Sequence, residues 1–163
     1  MEENINVIET TFGPKKYLTL RRLIDLDQVN NGPVYEQACS KLNEYAQEKK
    51  LKISGHWSIL YFSLDESEKK AEIGISLPVE NIDSLDNTEF SLIGIPKTLA
   101  AMSILVGSYE EVSKIHQILS KHVSGKNLNT SSAVLAIEEY VVNSMVNPDP
   151  EYWITNIYHL YNS

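Results

Sequence analysis

Two stretches of the chain read alike, and a chain that repeats itself must fold as a repeated unit. Gly32-Pro33-Val34-Tyr35-Glu36 opens one amphipathic run, and Gly107-Ser108-Tyr109-Glu110 opens another, with the two glycines 75 residues apart. Further on, Tyr61 in SILYFSLD and Tyr140 in AIEEYVVN follow in the same order, 79 residues apart. The spacing predicts two half-repeats, about 15–80 and 91–161, inside a single domain spanning 1–163, with 79–90 (VENIDSLDNTEF) as the linker.

Each half shows the same succession of patterns. Residues 17–24 (YLTLRRLI) and 98–106 (TLAAMSILV) are rich in apolar and β-forming side chains and read as strands. A helix follows each. In the first, Ala38, Leu42, Tyr45 and Ala46 share one face, and Pro33 suits the first turn, where a missing N–H costs nothing. In the second, Val112, Ile115 and Leu119 form the stripe, and Ser108 with Glu111 has the spacing of a capping box. Two strands close each half: 57–64 and 71–77 around the turn DESEKK, then 133–142 and 153–161 around NSMVNPDPEY, whose prolines suit a loop. The expected architecture is α+β: duplicated β-α-β-β units related by a pseudo-twofold.

Within this frame one residue is out of place. Glu138 lies in VLAIEEYVV, an otherwise apolar strand. Alternation along a strand puts Ala136, Glu138 and Tyr140 on one face and Leu135, Ile137 and Glu139 on the other. The repeat aligns Trp57, Ile59 and Tyr61 with that first face, and Trp153, Thr155 and Ile157 of the last strand line the same side. With helices covering one side of the sheet, these residues are expected on the opposite side. Aromatic planes around a carboxylate suit a flat organic cation, because ring faces attract cations and removal of water strengthens the charge pair. Burial is expected to raise the Glu138 pKa until a cation binds.

Other chemistries find little purchase. The net charge of −8 and sequence pI near 5.0 oppose direct nucleic-acid binding, since the Lys and Arg residues are scattered among acids. His116 and His122 are six apart, on different faces of a helix, while His56 and His159 sit near strand ends; all four read as surface or interface histidines rather than metal ligands. Cys39 is the only cysteine and reads as a packing residue. Cofactor motifs are missing: there is no glycine-rich phosphate loop, G-x-S-x-G or CxxC. The acidic N-terminus lacks the features of a secretory signal, and no apolar run is long enough to span a membrane, so a cytoplasmic location is expected.

The set GPVYE (32–36), GSYE (107–110), IEEY (137–140) and PEYWITNIYHLY (150–161) resembles the GyrI-like small-molecule-binding family. That family includes the gyrase-inhibitory protein and the effector domains of AraC-type and MerR-type multidrug regulators. Glu138-x-Tyr140 and Thr155-Asn156-Ile157-Tyr158 match its closing pattern; Asn156 replaces the usual acid, and His159-Leu160 the usual Ile-Pro. The resemblance implies a curved antiparallel sheet with two helices on one face and a ligand cleft on the other. It also implies a glutamate, at Glu138, that pairs with cationic aromatic compounds. A free-standing ligand-binding domain is expected, with Glu138, Tyr140, Trp57, Ile59, Tyr61, Trp153 and Thr155 as ligand-binding residues and no cofactor, metal, nucleic acid or membrane. There are two alternatives. A hydrolase of reactive xenobiotics would use Glu138 as general base or water-orienting residue, with Tyr140 or Tyr61 as donor. A protein-interaction module, like the gyrase inhibitor, would use the acidic exterior.

Overall fold

The computed structural model describes residues 5–25, 32–65, 67–86, 89–128 and 134–162. Three sequence expectations fall partly outside them: the strand start at Ala133, Glu66 of the first hairpin turn, and 87–88 of the linker. The first half runs β1 (Ile8–Phe12), β2 (Lys15–Asp25), α1 (Gly32–Glu48), β3 (Lys52–Ile53), β4 (Ser58–Asp65) and β5 (Lys70–Glu80). The second runs β6 (Ser91–Ile95), β7 (Thr98–Val106), α2 (Val112–Val123), β8 (Asn127–Leu128), β9 (Ala136–Val142) and β10 (Ile154–Asn162).

Eight of these strands form an antiparallel sheet in the order β1-β7-β10-β9-β4-β5-β2-β6, with β3 beside β5 and β8 beside β10. The connectivity of one half reappears in the other. β2 and β4 flank β5 as β7 and β9 flank β10, and β4 meets β9 in the middle. The fold class is the expected α+β sheet with two helices. Each half also has a leading strand that the β-α-β-β reading omits. β1 pairs with β7 and β6 pairs with β2, so each leading strand lies in the other half's sheet. Residues 79–80 belong to β5, so the connection between the halves begins at Asn81. It is tied down as well: Tyr45 of α1 and Lys49 just past its end both donate to Asp86, and Phe90 packs edge-on against Tyr45.

These exchanges force the sheet to curl. Two-residue turns join β1 to β2 and β6 to β7, strands that lie far apart in the sheet order. Phe12 from one end of the order and Ile95 from the other share a cluster with Tyr17, Leu60, Ile137 and Leu160. A flat sheet could not bring them together. The two turns touch: Gly13, at φ +86°, leaves no room for a Cβ, which would sit 2.9 Å from the carbonyl oxygens of Ile95 and Pro96.

Both helices cover the other face. Ala38, Leu42 and Ala46 of α1 pack on Leu20, Ile59 and Ile75, while Ile115, Leu119 and Val123 of α2 pack on Ala101, Leu105 and Ile157. The expected helical stripes are therefore the buried ones. The capping box does not form. Ser108 instead caps a 3-10 turn (Tyr109–Glu111) with no side-chain hydrogen bond, and α2 begins behind it with Glu111 as its own N-cap. Among the described residues, no helix is long and apolar enough to cross a membrane.

Gly74, in the middle of β5, lies beneath the Phe62 ring on the curled face. A Cβ there would come 2.4 Å from Thr19 Cγ2 and 2.9 Å from Phe62 Cε2. Gly74→Ala is expected to cost about 1–3 kcal/mol by overpacking, whereas Gly94→Ala, which meets nothing within 4 Å, should be nearly neutral; urea unfolding of both variants checks this.

Candidate functional site

The central seam of the sheet places Glu138. Its Cα partners are Ile59 on β4 and Ile157 on β10. Paired residues point to the same side, and Ile59 belongs to the α1 core while Ile157 belongs to the α2 core. Glu138 therefore lies on the helix-covered face, between the two helical cores. This corrects the expected side. Alternation along β9 holds, and Ala136, Glu138 and Tyr140 do share a face, but it is the face the helices cover.

The residue is 3% exposed. Three donors meet it. Tyr61 Oη on β4 donates to Oε2 at 2.7 Å, Tyr140 Oη to Oε1 at 2.5 Å, and His116 Nε2 on α2 to Oε2 at 2.6 Å. His116 Nδ1 lies 2.8 Å from His159 Nε2, so a polar chain runs from the carboxylate through one imidazole to a second. Burial pushes the Glu138 carboxyl upward, yet the donors, His116 first and then Tyr140 and Tyr61, outweigh it and hold the pKa below the ordinary carboxylate range. The expected rise does not occur, because the charge is paired within the protein itself.

Four tyrosines surround the carboxylate and register its charge. Burial, and next the Glu138 charge, lift Tyr61 and Tyr140 well above the phenol range; Tyr35 is pushed up to about 12 and Tyr109 is raised by the same causes. All four hydroxyls thus stay protonated at neutral pH, and those of Tyr61 and Tyr140 donate to the carboxylate. Tyr109 meets Tyr140 edge-on at 5.9 Å and stacks on Trp153 at 4.9 Å. The Tyr35 and Thr155 hydroxyls are buried and make no hydrogen bond.

The sequence-derived residues divide accordingly. Glu138, Tyr140 and Tyr61 are in direct contact, and Ile59 lies beside Glu138 across the seam. Thr155 is fully buried opposite Tyr140 on β10. Trp153 reaches the cluster through Tyr109, and its Nε1 donates to the Asn147 carbonyl. Trp57 precedes β4 and lines a separate cleft of about 230 Å³ with Asn43, Ile53, Leu77, Tyr140 and Met145. Glu138 does not line that cleft; Tyr140 is the wall between them. His116 and His159, expected at the surface or an interface, belong instead to the chain on Glu138, and Tyr35 and Tyr109 carry no site role in the sequence reading. His159 follows Thr155 and Ile157 in the same alternation, and Tyr35 and Tyr109 were themselves the repeat landmarks, so three of the four carried a signal. Cys39 is half-buried on α1, and burial pushes its thiol up to about 11, which removes it as a nucleophile at neutral pH. Among the described residues, no group of three His, Cys, Asp or Glu is placed to hold a metal ion.

No protein-family model and no curated protein matches the chain. Solved structures do. The crystal structure of the EcmrR C-terminal domain aligns over 99% of this chain and 100% of that one, with a TM-score of 0.75 at 14% identity. SAV2435 bound to tetraphenylphosphonium aligns over 97% and 93%, with a TM-score of 0.59 at 13% identity. A hydrolase encoded by lin2189 from Listeria innocua aligns over 94% and 90%, with a TM-score of 0.58 at 14% identity. At such identities the likeness is one of fold.

The cluster also makes the protein acid-sensitive. Burial, with the neighbouring His116 ring as a second cause, depresses His159 from 6.5 to about 3. Below pH 6.5 the unfolded chain takes up a proton at this site that the folded protein refuses, so stability falls as pH drops toward 3. Glu138, depressed from 4.5, adds a loss of the same sign below pH 4.5. The His159 contribution is on the order of 3–5 kcal/mol across its window. Melting temperatures should decline from pH 6.5 downward in the parent protein, and the decline between pH 6.5 and 4.5 should flatten in His159→Gln.

Proposed function

We propose that the chain is a small-molecule effector-binding protein of the GyrI-like kind, which takes up flat aromatic cations with Glu138 as their charge partner. One observation carries this reading: an ionised carboxylate is buried at the seam between the two halves, ringed by four tyrosines. Burying a charge is costly, and a carboxylate buried for stability alone gains little over an apolar residue of similar size. A binding role gives the cost a purpose. Aromatic rings in a water-poor site each add about 0.5–2 kcal/mol of attraction for a cation, and the carboxylate adds charge specificity. The fold shared with the EcmrR C-terminal domain and with SAV2435, the latter bound to tetraphenylphosphonium, supports the same assignment. Trp57, Ile59, Tyr61, Tyr140, Trp153 and Thr155 complete the proposed ligand-binding set.

The lin2189 hydrolase shares the fold and favours a second reading, in which Glu138 activates water with Tyr140 as donor. The geometry ranks it lower. A carboxyl held below its ordinary range is a weak base at neutral pH, and its oxygens already accept from three side chains.

Glu138→Gln separates these roles. Affinity for aromatic cations should fall by about 1–3 kcal/mol, or roughly five- to a hundred-fold in Kd, while neutral aromatics of similar shape lose little. Tryptophan emission from Trp57 and Trp153 offers the titration signal. Equal losses for charged and neutral ligands would make Glu138 a structural residue, and product formation that disappears with the variant would bring the hydrolase reading forward.

A further inference from the structure

We propose that His116 is the ligand's internal competitor: its imidazole holds the position against Glu138 that a bound cation takes, and binding expels it. This inference rests on the reading of Glu138 as charge partner.

The hydrogen-bond arithmetic requires a displacement. Oε1 accepts from Tyr140, and Oε2 accepts from both Tyr61 and His116. A cation reaches the carboxylate only if one donor withdraws, and the three are not equally fixed. Tyr61 and Tyr140 rise from β4 and β9, whose backbones are laddered on both sides at the centre of the sheet. Their hydroxyls are neutral, so they do not compete with a cation for the charge. His116 is the one basic donor and the one that comes from a helix. Its side chain is 21% exposed against 5% for Glu138, so it has a route to solvent that the carboxylate lacks.

The surroundings permit the movement. α2 is anchored through Ile115, Leu119 and Val123, all buried in the second core, so the His116 side chain can turn outward while the helix stays seated. Its remaining holds are the His159 contact and an edge-to-face contact with the Tyr61 ring at 5.2 Å. His159 is uncharged at neutral pH, so it orients His116 without bringing a positive charge to the carboxylate. The closed arrangement also leaves Tyr35 Oη and Thr155 Oγ1 buried without partners. These are two hydroxyls that a rearranged site can use. The cleft lined by Trp57 and Tyr140 shares Tyr140 with the cluster.

The consequence is a threshold. A neutral aromatic gains nothing from the carboxylate that would offset ejecting the imidazole, whereas a cation replaces the lost hydrogen bond with a charge pair. His116 thereby sets both the affinity and the charge selectivity of the site.

The test is calorimetric titration of tetraphenylphosphonium into the parent protein, His116→Ala and Glu138→Gln. His116→Ala should bind about ten- to a hundred-fold more tightly than the parent, since the internal competitor is gone. Excess free imidazole, which fills the vacated position, should bring the variant back toward parental affinity while leaving the parent unaffected. A residue that merely supports the fold would give no such rescue. Unchanged or weaker binding by a folded His116→Ala, with Glu138→Gln still impaired, overturns the displacement and leaves the glutamate reading standing. Unimpaired binding by Glu138→Gln, or no binding by either the parent or His116→Ala, overturns both. If His116→Ala does not fold, His116→Gln replaces the ring held by His159 with a freely turning amide and should tighten binding a few-fold. An unchanged Kd for that variant overturns the proposal.

Discussion

The arrangement of the whole site follows from the cost of keeping one carboxylate ionised away from water. An unpaired buried charge would shift its pKa and take up a proton. Glu138 avoids this because three elements converge on it: β4 brings Tyr61, β9 brings Tyr140, and α2 brings His116. None of the three comes from the same secondary-structure element as another, and two different half-repeats contribute. The charge can therefore exist only when both halves are folded and docked, which ties the chemistry of the seam to the integrity of the entire sheet.

The exchange of leading strands secures that docking. β1 extends the second half's sheet and β6 extends the first half's, so neither half owns a complete edge. The two short turns that carry these exchanges press together at Gly13, and the apolar residues they deliver, Phe12 and Ile95, close the curled face into a core of its own. The opposite face is left to the helices. A sheet with a core on each side holds its central pair of strands at fixed separation, which is the rigidity a positioned carboxylate requires.

How much of this is legible in sequence depends on the range of the interactions. Local alternation identified Glu138, Tyr61 and Tyr140 as neighbours, because a period of two is a property of one strand and a carboxylate inside VLAIEEYVV contradicts its surroundings. The same alternation reached as far as His159 had it been followed two residues past Ile157. It gave no information on which side of the sheet the helices lie, since that is settled by the packing of Ile59, Ile75 and Leu105 against α1 and α2. Hence Glu138 was assigned to the wrong side while its companions on the sheet were right. His116 was hidden for a related reason: its position depends on how α2 crosses the sheet. IETTF and SLIGI, five residues each, become strands through partners roughly ninety residues away in the first case and in the opposite half in both, and nothing in a short local window reveals such pairing.

The seam between β4 and β9 joins two halves of the same connectivity, yet the acid stands on one side only. Opposite Glu138 the chain places Ile59, which is also the residue that the tyrosine spacing makes its counterpart. A second carboxylate there would set two like charges side by side, and one would have to stay protonated. The scaffold is nearly twofold, but its electrostatics are polar: one end of the seam is anionic and the other aliphatic. On the reading proposed for Glu138, a molecule seated across the seam meets one anionic and one aliphatic side and takes a single preferred orientation, and a ligand bearing two well-separated positive groups finds a partner for only one of them.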